Sequence, residues 1–171
     1  MMDEAATIFE RIVEEARTDP NILGLFLSGS QGKGFETEHS DYDIVIIVKD
    51  DVLDTYKERF PFRYAKDIEC ILQSLTGFRE YAALGSESAW DRYSFTHVQA
   101  ILDKTRDIQK LIDDKGNLPS DMRTSFVKKA LDSYVNSFYR SLKCHRRDDA
   151  LGTKLEAALS LPPLLDFIFG L

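Results

Sequence analysis

The spacing of apolar residues changes several times along the chain, and each change marks an element. Ile8, Phe9, Ile12, Val13 and Ala16 recur at helical spacing and predict an amphipathic helix over residues 3–17, with Asp3 available as its N-cap. Asp19-Pro20-Asn21 breaks it, and the short apolar run 22–28 predicts a buried strand. Residues 29–40 hold three glycines and Phe35 as their one long apolar residue, so they predict a loop with room for one helical turn. Ile44, Val45, Ile46, Ile47 and Val48 form an unbroken β-branched run, so 42–48 predicts a strand buried on both faces. A polar helix over 49–60 should end before Pro61, followed by a third strand over 65–72 and a helix over 77–84. Residues 85–95 read as irregular with a turn near Trp90, and 97–102 as a fourth strand opened by His97. Ile108, Leu111 and Ile112 share one stripe of a helix over 106–114, which Lys115-Gly116-Asn117 stops.

After Pro119 the pattern becomes purely helical. Phe126, Ala130, Val135, Phe138 and Leu142 supply the apolar side of one long helix over 121–147, with Ser120 or Asp121 as its cap. A last apolar segment over 151–171 contains Pro162-Pro163, expected to break or kink it. The boundary falls near residue 117, giving a mixed domain over 1–117 and a helical domain over 118–171. Residues 164–171 are dense in Leu, Ile and Phe, so the tail is expected to be covered by the protein itself or by a second copy, a homodimer.

Composition narrows the classes. Hydrophobic residues are 43% and charged residues 30%, ordinary for a globular chain. No apolar run reaches the roughly 18 residues of a membrane span, and the start Met1-Met2-Asp3-Glu4-Ala5 lacks a signal-peptide pattern, so a cytoplasmic protein is expected. Cys70, in an apolar run, and Cys144 make no metal-ligand spacing. The net charge of −7 argues against a nucleic-acid partner and suits metal ions or a cationic small molecule.

Candidate chemistry concentrates in Ser28-Gly29-Ser30-Gln31-Gly32-Lys33-Gly34 and Ser40-Asp41-Tyr42-Asp43-Ile44-Val45. A strand ending at Gly29 leaves backbone bare enough to approach a phosphate, Ser30 adds a hydroxyl donor, and Lys33 adds a cation. Asp41 and Asp43, at i and i+2 of a strand, project from one face. Carboxylates held together repel, and a divalent cation relieves them; magnesium takes oxygen ligands and bridges carboxylates to phosphates.

This succession of strand, Gly-Ser loop, Asp-x-Asp and apolar strand resembles the polymerase-beta-like nucleotidyltransferase superfamily over residues 1 to about 115. Gly29-Ser30, Lys33-Gly34 and Ser40-Asp41-Tyr42-Asp43 match its pattern in order and spacing. The resemblance implies an α/β (α+β) nucleotidyltransferase fold with a mixed sheet flanked by helices, ahead of the helical C-terminal domain. It also implies that Gly29, Ser30 and Lys33 hold a nucleoside triphosphate (NTP) such as ATP. Two magnesium ions (Mg2+) would sit on Asp41, Asp43 and a third acid from a later strand. Residues 66–72 offer Glu69 and Asp67, read as sharing one face of one strand; Ile68-Glu69-Cys70, an acid between apolar neighbours, fits the family pattern better. Glu69 so placed would also be able to deprotonate an attacking hydroxyl. The implied reaction transfers a nucleoside monophosphate to an acceptor hydroxyl and releases pyrophosphate. A minimal core followed directly by helices is similar to the small bacterial enzymes that adenylylate aminoglycosides or lincosamides, which implies a small hydroxylated acceptor.

Two other functions compete with this one. The nucleotidyltransferase fold serves in the first as a non-catalytic, antitoxin-like regulatory module. In the second, Arg140 and His145 match the Arg-x4-His pattern of HEPN ribonucleases, although Arg140, Lys143, Arg146 and Arg147 also complement a helix C-terminus. His39 reads as solvated, His97 as structural, and Trp90 and Tyr93 as core or lid residues with stacking on a ring as the alternative.

Overall fold

The computed structural model describes residues 4–171, so Asp3, expected as an N-cap, lies outside the described residues. Two compact units result, one ending at Asn117 and the other spanning Leu118–Leu171.

The first unit is built on a five-stranded mixed sheet. Its strands are β1 (Ile22–Leu27), β2 (Tyr42–Val48), β3 (Arg63–Ala65), β4 (Ile68–Ser74) and β5 (Ala100–Asp103), in the order β3-β4-β2-β1-β5. β2 runs parallel to β4 and antiparallel to β1, while β3 and β5 pair antiparallel at the edges. The helices are α1 (Glu4–Thr18), α2 (Gly29–Lys33), α3 (Leu53–Arg59), α4 (Leu75–Glu80) and α5 (Ile108–Gly116).

β2 explains why the layers stack as they do. Ile44, Ile46 and Val48 pack against Ile12, Val13 and Ala16 of α1 and Tyr56 and Phe60 at α3. Val45 and Ile47 point the other way, into a cluster with Phe26, Phe78, Phe95, Ile108 and Ile112. Burying each such side chain contributes about 1.5–3 kcal/mol, so neither face can be left open. That accounts for the missing polar alternation in the sequence.

Three local expectations are corrected. The single strand expected over 65–72 is a hairpin: β3 and β4 flank the turn Lys66-Asp67, with Asp67 at φ 60°. Asp tolerates this left-handed region because its short side chain can bond locally. His97 does not open a strand, since β5 begins at Ala100 and His97 sits exposed in a turn at φ 69°. Trp90 and Tyr93 are not core residues; they lie on a 3₁₀ segment (Ala89–Phe95) at 68% and 54% exposure.

Two cations tie this side of the sheet together. Buried Arg92 donates to the carbonyls of Ala82, Asp114 and Asn117, the last at 2.6 Å. Buried Lys115 donates to Tyr81 O at 2.6 Å and lies 5.1 Å from the Phe78 ring centroid. Main-chain carbonyls thus accept from both charges, which would otherwise be costly to bury, while Arg92 Nε stays without a partner.

The second unit is a hairpin of α6 (Ser120–His145) and α7 (Ala150–Gly170). Gly152 backs onto Cys144 and Gly170 onto Val127, so the helices run antiparallel. Arg140 and Glu156 pair across them at 2.8 Å. α7 runs through Pro162-Pro163 instead of breaking. The pair removes only its own two N–H donors, and packing along α6 carries the helix past the gap. Leu159, Leu165 and Ile168 of α7 are exposed. Among the described residues no helix is long and apolar enough to cross a membrane.

Candidate active site

The site is assembled by strand register. Parallel pairing sets Tyr42 beside Ile68, Asp43 beside Glu69, and Ile44 beside Cys70. Paired residues on neighbouring strands project from the same face, so the Asp43 and Glu69 carboxylates lie side by side. Val45 and Ile71 follow two residues on, so the acids share the face of the Phe26–Phe78–Phe95 cluster. Asp41 is exposed, one residue before β2 begins. Burial, then the neighbouring Asp41 and Glu69 carboxylates, push the half-buried Asp43 carboxyl above its ordinary value. Both neighbouring carboxylates therefore act on Asp43 electrostatically. Asp67, the alternative third acid, is exposed on the hairpin turn outside β4, and only its carbonyl engages β2, accepting from Tyr42 N at 2.9 Å.

The Gly-Ser element fits against these acids. Residues 29–33, expected as a loop with one helical turn, form the short helix α2. Gly29 adopts φ +61°, and a Cβ there would lie 2.1 Å from Asp43 Oδ2. Its missing side chain therefore makes room for the Asp43 carboxylate itself. Ser28 N donates to Asp43 O at 2.8 Å and fastens the end of β1 to β2 at this point. Gly32 is equally constrained, since a Cβ would lie 2.0 Å from the Leu27 carbonyl oxygen. Ser30 is half-buried on α2, and its carbonyl accepts from Phe35 N at 2.9 Å. Lys33 reaches Tyr93, donating to its carbonyl at 3.4 Å and standing 5.2 Å from the ring centroid.

Asp43, Glu69 and Gly29 are thus brought together, Asp41 stands beside them, and Lys33 turns toward the 3₁₀ segment. Oxygen-only donors that repel one another fit a hard divalent cation. Among the described residues, however, no three His, Cys, Asp or Glu side chains are close enough to hold a metal as they stand. Mutual repulsion keeps such carboxylates apart when nothing neutralises them. His39 is exposed and lies 3.5 Å from Glu38.

Residues 10–82 match the family described as polymerase beta, nucleotidyltransferase, and this interval holds Gly29, Ser30, Lys33, Asp41, Asp43 and Glu69. No curated protein matches the chain. Among solved structures, a nucleotidyltransferase-like protein from Exiguobacterium sibiricum 255-15, known from a crystal structure at 1.90 Å resolution, is similar over 96% of this chain. That similarity has a TM-score of 0.43 and 13% identity, and the chain spans 55% of that protein's length.

Proposed function

We propose, from a chain whose residues 10–82 match the polymerase beta, nucleotidyltransferase family, that it transfers a nucleoside monophosphate from an NTP to a hydroxyl of a small-molecule acceptor. The observation carrying this reading is the Asp43–Glu69 pair with Asp41 beside it and Gly29 fitted against Asp43. Asp41, Asp43 and Glu69 would hold two magnesium ions, which when bound supply charge stabilisation to the attacking and leaving oxygens. Gly29, Ser30 and Lys33 bind the triphosphate. Glu69 accepts the proton of the acceptor hydroxyl as its oxygen bonds to the α-phosphorus and the bond to the bridging oxygen breaks, releasing pyrophosphate. The net charge of −7 agrees with a small acceptor, since nucleic-acid binders rely on phosphate neutralisation.

The test is calorimetric titration of the four NTPs with and without magnesium, for the native protein and Asp43→Asn, followed by pyrophosphate release with a panel of hydroxylated acceptors. Metal-dependent binding should weaken in the variant, and turnover should fall further than binding. A native protein that binds no triphosphate under any metal condition sinks the catalytic reading.

A further inference from the structure

Two elements border the cleft beside Gly29. Ser28 and Gly29 line it at the start of α2, and Asp91, Ser94 and Phe95 line it from the 3₁₀ segment Ala89–Phe95. Lys33, the last residue of α2, joins the same two elements directly. Its ammonium donates to Tyr93 O at 3.4 Å and stands 5.2 Å from the centroid of the Tyr93 ring. The segment is a fixed anchor. Arg92 ties it to the carbonyls of Ala82, Asp114 and Asn117, the Tyr81 hydroxyl donates to Asp91 Oδ2 at 2.6 Å, and Phe95 is buried in the cluster of Phe26 and Phe78. Tyr93 stands out from this backbone at 54% exposure, and Lys33 is the cation its ring meets.

We propose that Tyr93 is a positioning residue for the triphosphate, its ring and carbonyl holding the Lys33 ammonium in place before the nucleotide arrives. The proposal rests on the nucleotidyltransferase reading, in which Lys33 binds the phosphates, and adds the residue that presents it. A lysine ends a flexible four-carbon stem, and a free one must be immobilised at the moment it grips a phosphate. One already held against a fixed partner has met that cost beforehand. The ammonium has three N–H donors, of which the Tyr93 carbonyl takes one, so two remain for phosphate oxygens. The kind of partner matters as well. A carboxylate in the same place would neutralise the lysine and repel a triphosphate, whereas the face of an aromatic ring attracts the cation and leaves its charge to the ligand.

The experiment is calorimetric titration in magnesium of inorganic tripolyphosphate and ATP, for the native protein, Tyr93→Phe, Tyr93→Leu, Lys33→Met and the double variant Tyr93→Leu with Lys33→Met. Tyr93 is more than half exposed, so its variants should fold. Tyr93→Leu removes the ring face and should weaken tripolyphosphate binding about two- to tenfold, the scale of immobilising one long side chain. Tyr93→Phe keeps the ring and the carbonyl and should bind as native does. Lys33→Met should weaken binding at least as much as Tyr93→Leu, and the double variant should bind no more weakly than Lys33→Met alone, because the ring acts through the lysine. Unchanged or tighter tripolyphosphate binding in Tyr93→Leu overturns the proposal, as does a Tyr93→Phe variant that binds as weakly as Tyr93→Leu. A further loss from Tyr93→Leu in the Lys33→Met background overturns it too, since the ring would then touch the ligand itself. A native protein that binds neither tripolyphosphate nor ATP fails the transferase reading, whereas native binding that ignores Tyr93→Leu fails this proposal alone.

Discussion

The contact between Gly29 and Asp43 can be measured by separating its two costs. In Gly29→Ala, the new Cβ must accept φ +61° and a position 2.1 Å from Asp43 Oδ2. Left-handed backbone costs an L-residue about 1–2 kcal/mol. Relieving the overlap requires the Asp43 carboxylate to leave its rotamer, a further cost of about 0.5–1.5 kcal/mol. Gly34 isolates the first cost, since it has φ +70° and nothing within 4 Å of its added Cβ. Gly34→Ala should therefore destabilise by about 1–2 kcal/mol, and Gly29→Ala by about 1.5–3.5 kcal/mol. Removing the obstacle with Asp43→Ala should return the Gly29→Ala cost to the Gly34→Ala level, a coupling of about 0.5–1.5 kcal/mol in the double-mutant cycle. Gly32→Ala is the contrast: its obstacle is the Leu27 carbonyl oxygen, which no side-chain rotation relieves, so Asp43→Ala should leave its cost unchanged. Urea unfolding of the four single variants and the two doubles decides the matter. Equal costs for Gly29→Ala and Gly34→Ala, with no coupling to Asp43, would refute the placement of the carboxylate against the turn.

Three other outcomes follow from the geometry. Without divalent ions, Asp43→Asn should be about 0.2–1 kcal/mol more stable than native at neutral pH, the scale of like charges facing one another in a sheet. Because the folded pKa of Asp43 lies above its unfolded value, its favourable contribution is present below the unfolded value and lost as pH rises through the folded one. The advantage of the variant should therefore close on acidification, as thermal melts at several pH values would reveal. Asp103 accepts from Arg106 N at 2.7 Å and Gln109 N at 3.1 Å, so Asp103→Ala should cost about 1–2 kcal/mol by denaturant unfolding, as loss of a helix cap does. Deleting residues 164–171 removes the contact of Gly170 with Val127 and Phe126 and should lower the melting temperature, and sedimentation should show self-association in the whole chain only; unchanged behaviour in both would mean the tail is free.

Much of this architecture was legible because its signals are local. The β-branched run at 44–48 specifies a doubly covered strand, and Asp41 and Asp43 are read directly from their spacing to it. The β3–β4 hairpin was not legible, since Tyr64, Ala65, Ile68 and Cys70 pass for one strand unless Lys66-Asp67 is recognised as a turn. That misreading placed Asp67 beside Glu69; the turn removes it from the strand. Gly29 was read as a phosphate approach, whereas its closest constraint comes from Asp43, a partner that only the fold supplies. Arg92 and Lys115 are ordinary surface residues by type, and nothing short of the tertiary structure marks them as buried. Pro162-Pro163 misled in the other direction, because a local breaking tendency was overridden by packing along α6.

The position of the acidic pair within its ladder has a consequence for how this sheet opens. Asp43 and Glu69 occupy the second rung of the parallel pair, and the rungs beyond, from Ile44–Cys70 to Ile46–Leu72, are largely apolar. Repulsion is therefore confined to one end of the zipper and cohesion to its middle. Fluctuations begin where cohesion is least, so amide hydrogens near Asp43 and Glu69 exchange with solvent through smaller openings than those at Ile46 or Leu72. Parallel pairing is also non-local, closed only after the intervening crossover has formed, which makes the acid end among the last parts of the sheet to be fixed during folding. Any cation that neutralises this rung acts on the loosest end of the ladder, so its binding and the final tightening of the sheet become a single equilibrium.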